Sequence, residues 1–264
     1  MSFTILNNTS IQILGNSSLF VSEKPTAPPS LVTTNMVTYF DAADVTSYNG
    51  SGTTWNDISG QSRNGTLTNG VTFSGSAGGN RSAMVFDGTD DYVSTNYNLG
   101  SNPYSSNFTF NIWFRSPGNT GRKMMGIEGA IGVDASAPYD RHFYMGTDGK
   151  IRFSTYDANS GGQRNIASTG TTYGNNNWYN ATVTVGGGSI KLYVDGVHDA
   201  TLSGGAYAGY TNSYLKVGGI FNGYPQSSGT YWTGSIAVVM VHSSVLSDAN
   251  ILNNYNVLKG RYGK

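Results

Sequence analysis

The chain contains no cysteine, which rules out a disulfide framework and a thiolate metal site, so stability must come from packing. That absence fits synthesis in a reducing cytosol. Charge is also scarce, with 15 basic and 15 acidic residues that cancel and no basic run longer than Arg122-Lys123. Such a surface lacks the concentrated positive field that a phosphate backbone attracts, so nucleic acid is not an expected partner. Glutamate occurs only as Glu23 and Glu128, and histidine only as His142, His198 and His242. No apolar run approaches the ~18 residues of a membrane-spanning helix. Residues 1–20 place no positive charge ahead of an apolar stretch and do not read as a secretory signal. No repeat of ~20–50 residues marks a solenoid or propeller.

What is abundant points to many short strands and tight turns. The chain holds 36 glycines and 18 tyrosines among numerous Asn, Ser and Thr, a composition that favours sheets over helices. Phe108, Phe110, Ile112 and Phe114 fall on one face at period two, and Tyr179, Ala181, Val183 and Val185 on another. Gly186-Gly187-Gly188 before Ser189–Val194, and Asp195-Gly196 after it, are hairpin signals. Ser235–Val241 is almost continuously apolar and reads as a central, buried strand. These spacings predict an all-β, two-sheet antiparallel sandwich. One short C-terminal helix is expected: Ser247 caps it, Asp248 lies in its first turn, Ile251, Leu252, Tyr255 and Leu258 share a face, and Gly260 stops it.

Residues 1–30 are expected to form an extended N-terminal arm ending in the proline-rich stretch Lys24–Pro29, with one main domain over 31–264. The arm is too short for a core of its own and is expected to pair with other chains or to fold back as an edge strand. Met84–Val93 is the densest local signal: two strand-like pieces joined by an acidic turn at Asp87-Gly88-Thr89-Asp90-Asp91. Asp87, Asp90 and Asp91 are candidate calcium ligands, alongside Asp41, Asp44 or Asp57 if the fold brings these near. The alternative is turn-forming Asp bonded to its own backbone. No other cofactor is required.

Enzymatic chemistry finds little support. Glycoside hydrolysis needs two positioned carboxyl groups, and Glu23 and Glu128 lie far apart in sequence without alternating acid spacing. The histidines match neither a nucleophilic triad nor helical metal-ligand spacing. Aromatic residues are the remaining handle: Tyr207, Tyr210, Tyr214, Tyr224, Tyr231 and Trp232 punctuate a Gly/Ser-rich region. They are candidates for stacking on a glycan or for a protein interface, against the alternative that they fill the sandwich.

The order of several motifs resembles the laminin-G-like, concanavalin-A-like jelly-roll family. These are Trp55–Gly60 with Asn64–Leu67, Phe86–Val93, Phe108 through Trp113, Trp178-Tyr179, Leu192–Gly196, Gly234–Ile236, Leu246–Asp248 and Asn254-Tyr255. The resemblance runs over roughly 36–260 and implies two curved sheets, with rim loops or a concave face used for glycan or protein ligands, sometimes through calcium. Its glucanase branch clusters glutamates on one strand, a pattern this chain lacks. Tyr39–Asp44 and Ser47–Trp55 resemble versions found in virion proteins of tailed bacteriophages. That resemblance implies a non-enzymatic virion structural protein, made in the host cytoplasm, as capsid decoration or as a tail or fibre component. Its arm would bind other virion proteins, with a homo-oligomer expected and a trimer favoured by analogy. The alternatives are an extracellular or cell-surface carbohydrate-binding or adhesion module of bacteria and, further off, a glycoside hydrolase.

Overall fold

A computed structural model describes residues 9–14, 18–23, 29–79, 81–98, 107–118, 122–129, 140–157, 162–204, 213–219 and 231–264. The chain divides into two compact units, Met1–Ser30 and Leu31–Lys264. In the first, β1 (Thr9–Leu14) and β2 (Ser18–Glu23) pair antiparallel, with Ile11 opposite Val21 and Ile13 opposite Leu19. The described strands of the N-terminal segment thus form a hairpin. Its signal in the sequence is the Gly15-Asn16 dipeptide between two alternating runs. The proline-rich stretch falls outside the described residues except at its end.

The second unit contributes β3 (Met36–Asp41), β4 (Thr54–Trp55), β5 (Gly65–Thr68), β6 (Thr72–Ser74), β7 (Ala83–Asp87), β8 (Tyr92–Asn98), β9 (Phe108–Arg115) and β10 (Lys123–Gly129). It continues with β11 (Asp140–Met145), β12 (Ile151–Asp157), β13 (Gly162–Ala167), β14 (Trp178–Gly186), β15 (Ser189–Val194), β16 (Val197–Ser203), β17 (Ser213–Val217) and β18 (Thr233–His242). One antiparallel sheet has the order β13-β12-β11-β10-β17-β8-β5-β4, and the other has β16-β15-β14-β9-β18-β7-β6 with β3 also on β18. The expected two-sheet antiparallel sandwich is what forms. Strand β18 lies in the middle of its sheet, against β9 on one side and against β7 and then β3 on the other. Its continuous apolar run follows from burial on both faces.

The inward faces meet in one core that includes Phe108, Phe110, Ile112, Phe114, Val183, Val185, Phe143, Phe153, Leu215 and Val217. Period-two patterning located Phe108, Phe110, Ile112, Phe114, Val183 and Val185 among them, and each fully buried aliphatic or aromatic side chain contributes roughly 1.5–3 kcal/mol. A second cluster covers the opposite face of the β18 sheet, where Trp113 stacks between Tyr255 at 5.7 Å and Tyr262 at 4.1 Å. The outward residues of β9 are thereby buried as well, and Asn111 bonds across to Asn180 and Thr182.

Helix α1 (Asp248–Leu258) supplies that cover. Its cap is Ser247, whose hydroxyl accepts from Asn250 N at 3.2 Å. Two details differ from the expected helix. Leu252 is 43% exposed, while Asn254 is buried because its Oδ1 accepts from Val32 N at 2.8 Å. Gly260 does not end the element: a 3-10 turn, Lys259–Tyr262, follows, and Gly263 ends it at a φ of 71°. That turn sends Arg261 Nη1 to buried Asp41 Oδ2 at 2.5 Å, where the Tyr39 hydroxyl also donates at 3.0 Å. Burial, and then the Asp41 charge, hold the Tyr39 phenol well above its ordinary pKa.

Candidate metal centre

The acidic turn is a corner between sheets. Strand β7 pairs with β6 and β18 in one sheet, whereas β8 pairs with β5 and β17 in the other. The five residues from Asp87 to Asp91 therefore carry the chain across the edge of the sandwich, where a short connection cannot spread its charges. Gly88 sits at a φ of 85°, and a Cβ there would stand 2.0 Å from Thr233 Oγ1 and 2.9 Å from Arg122 Nη1. Only glycine fits such a position. Arg122 Nη1 donates both to Gly88 O and, at 3.0 Å, to Tyr231 O, which ties the turn to the segment entering β18.

One carboxylate oxygen from each of Asp87, Asp90 and Asp91 lies within 4.8 Å of the others. Asp87 Oδ1 accepts from Thr89 N at 2.7 Å, a local turn bond of the kind expected for Asp in this position. Asp90 is exposed, and its carbonyl accepts from Asn69 Nδ2 at 3.2 Å. Asp91 differs from both. It is 2% exposed; its Oδ2 accepts from Asp87 N at 2.9 Å, and its buried Oδ1 has no hydrogen-bond partner. That oxygen faces Gly70, where a Cβ would stand 3.1 Å away. Burial, then the charges of Asp87 and Asp90, push the Asp91 carboxyl above its ordinary pKa. Unpartnered carboxylate oxygen next to two further carboxylates suits a hard cation with oxygen ligands.

Asp41, Asp44 and Asp57 do not join this group among the described residues. Asp41 is committed to Arg261, Asp44 to Thr46, and Asp57 to Tyr39 N, Ser59 and Arg63 N.

The aromatic candidates separate. Tyr207, Tyr210 and Tyr224 lie outside the described residues. Tyr231 is half-buried, bridges Gly219, and is the residue whose carbonyl Arg122 holds beside the acidic turn. Trp232 is fully buried, edge-on to Phe114 at 5.7 Å, so its ring is core material and offers no face to a ligand. Tyr214 is half-buried on β17. The three histidines do not converge: His142 is buried on β11, His198 bonds Thr201 at 2.7 Å on β16, and His242 is buried on β18 with Nε2 at 3.0 Å from Val32 O. Patterning missed a second feature, a polar cleft between the β6–β7 connection, the segment before β14 and the last turn of the chain. Its residues come from three distant stretches without a common motif.

No helix among the described residues is long and apolar enough to cross a membrane. No curated protein matches the sequence. Among solved structures, the binding domain of Paraclostridial Mosquitocidal Protein 1 superposes with a TM-score of 0.59 at 15% identity, covering 84% of this chain and 52% of that one. The receptor binding domain of botulinum neurotoxin D gives 0.60 at 14%, covering 85% and 53%. Domain 4 of AbnA, a GH43 extracellular arabinanase from Geobacillus stearothermophilus in complex with arabinotriose, gives 0.58 at 14%, covering 84% and 98%. The chain thus spans about half the length of the toxin domains it matches and nearly all of the arabinanase domain. At these identities the likeness is one of fold. The laminin G family described as the concanavalin A-like lectin/glucanases superfamily matches residues 87–252. That match begins within the acidic turn, covers more than half of the sequence and agrees with the two-sheet sandwich, so the chain belongs to the concanavalin A-like lectin/glucanases superfamily.

Proposed function

We propose that this protein is a non-enzymatic surface-binding component of a tailed-bacteriophage virion, in which the sandwich engages a glycan and the N-terminal hairpin attaches it to other virion proteins. The observation that carries this reading is the division into a full lectin-type sandwich and a separate two-stranded unit of 30 residues. A lone two-stranded ribbon is marginal in water and gains stability by adding to another sheet or by packing on a neighbour. Strand addition between copies makes a homo-oligomer, and a trimer suits a capsid decoration or a fibre. A structural relative of this chain, the arabinanase domain solved with arabinotriose, supports the glycan ligand. Asp87, Asp90 and Asp91 hold calcium in this reading. The ion would neutralise the crowded turn and stiffen the rim beside Tyr231, a candidate ligand contact. A cell-surface adhesion module of bacteria would use the same sandwich with the hairpin only as a linker.

Titration calorimetry of the full chain against a polysaccharide panel, with reducing-sugar release followed in parallel, tests this reading. Binding without release is expected. Sugar release that is lost on substituting an aspartate would overturn it in favour of a hydrolase.

A further inference from the structure

The cleft between the β6–β7 connection and the end of the chain has a volume of about 290 Å³ and is bordered by Arg81, Asn176, Asn177, Tyr262, Gly263 and Lys264. It lies on the helix-covered side of the β18 sheet, since Tyr262 belongs to the cluster packed there. Its size is near the lower end of small-ligand sites, roughly 300 Å³.

Arg81 is fixed before any ligand arrives. Its Nε donates to Arg261 O at 2.9 Å, and its Nη1 donates to Gly78 O and, at 3.0 Å, to Gly79 O. Three carbonyls thus orient the guanidinium, leave Nη2 without a hydrogen-bond partner among the described residues, and give Arg81 no acidic partner there. Nη2 lies against Gly263, whose φ is 71°, and a Cβ at that position would stand 2.5 Å from it. The other cation, Lys264, is already neutralised: its Nζ lies 2.8 Å from Asp195 Oδ2 and 4.2 Å from the Tyr179 ring centre. The cleft therefore holds an immobile guanidinium with Nη2 unpaired among the described residues, and a second guanidinium, Arg115, reaches its rim through Asn176 O.

On the same cleft, the side chains of Asn176 and Asn177 are exposed and make no hydrogen bond among the described residues. Asn176 is held by its backbone, which donates to Ser116 O at 2.8 Å and accepts from Arg115 Nε at 2.8 Å. It keeps a positive φ of 65°, a conformation that Asn and Asp tolerate. Two free amides beside a preset guanidinium present donors and acceptors for hydroxyl groups around one anchored anion. The N–H groups of the unpaired Arg81 Nη2 suffice for one carboxylate. Preorganisation of Arg81 removes the rotamer entropy that an exposed arginine would lose on binding.

We propose that this cleft is a binding site for the carboxylate of an acidic saccharide, a uronic-acid or comparable sugar, with Arg81 Nη2 on the carboxylate and Asn176 and Asn177 on ring hydroxyls. The proposal rests on the glycan-binding reading above and narrows it to acidic glycans held on the helix side of the sandwich.

Calorimetry on the full chain distinguishes the two. The probes are a uronic-acid trisaccharide, its methyl ester and neutral arabinotriose, each titrated into the unaltered protein and into Asn177→Asp, Asn176→Asp and Arg81→Gln. Both aspartate variants keep the shape of the site and oppose a carboxylate, and thermal midpoints verify folding. The expected result is that the acid binds at least tenfold more tightly than its ester and loses tenfold or more in Asn177→Asp. Equal binding of acid and ester, or acid binding unmoved by both Asn176→Asp and Asn177→Asp, overturns the cleft assignment while the glycan reading stands. Binding of none of the three probes overturns the assignment, and the wider polysaccharide panel then decides the broader reading.

Discussion

At Asp91, burial and two neighbouring carboxylates act in the same direction, so ionisation works against folding when no cation is bound. A folded-state pKa raised above the unfolded value means that the carboxyl's favourable contribution is complete below about pH 3.8 and is lost as pH rises through the raised value. A bound divalent ion reverses that sign at neutral pH. Calcium at a hundred times its Kd should stabilise the protein by about 2.7 kcal/mol, roughly 5–10 °C in Tm for a unit of this size. Asp91→Asn should raise the Tm of the calcium-free protein and abolish the calcium increment; scanning calorimetry with chelator checks both, and an unchanged increment would reject the site. His242 has the opposite dependence. Burial lowers its pKa although Val32 O accepts from the ring, so stability should fall as pH drops below about 6.5, where the unfolded chain takes up a proton that the buried ring refuses. Urea midpoints between pH 7.5 and 5.5 should decline in the unaltered protein and flatten in His242→Asn.

At the scale of elements, the legible ones were those whose period and punctuation agree. The Asp195-Gly196 turn was readable because both residues adopt the positive φ that a two-residue hairpin needs, 49° and 77°. Ser247 was readable as a cap for the same local reason. Ser247→Ala should cost about 1 kcal/mol, measured as a shift in the denaturation midpoint with an unchanged m-value. A shift near zero would mean that helix packing alone sets the end of α1. Leu252 was misplaced because the buried face of α1 is set by the Asn254 bond to Val32, more than 200 residues away. Helical periodicity carries no information about such a partner.

For the whole molecule, the decisive experiment concerns the first 30 residues. Light scattering should give an oligomer for the full chain and a smaller particle for residues 31–264. Equal masses would remove the hairpin from any role in assembly. The sandwich should stay folded in the shortened protein, since Leu31–Lys264 forms a compact unit of its own.

The sequence by itself determined the all-β class, the two sheets, the inward faces of β9 and β14, the centrality of β18 and the capped helix. Each of these depends on local period, turn chemistry or composition, which a single chain displays directly. Tertiary structure alone decided that the acidic turn bridges the two sheets, that Asp91 is its buried member, and that Trp232 belongs to the core. It also placed Arg81, Asn176 and Asn177 around one cleft. Those outcomes depend on which distant strands pair and what covers them, and pairing between residues far apart leaves no periodic trace in the chain.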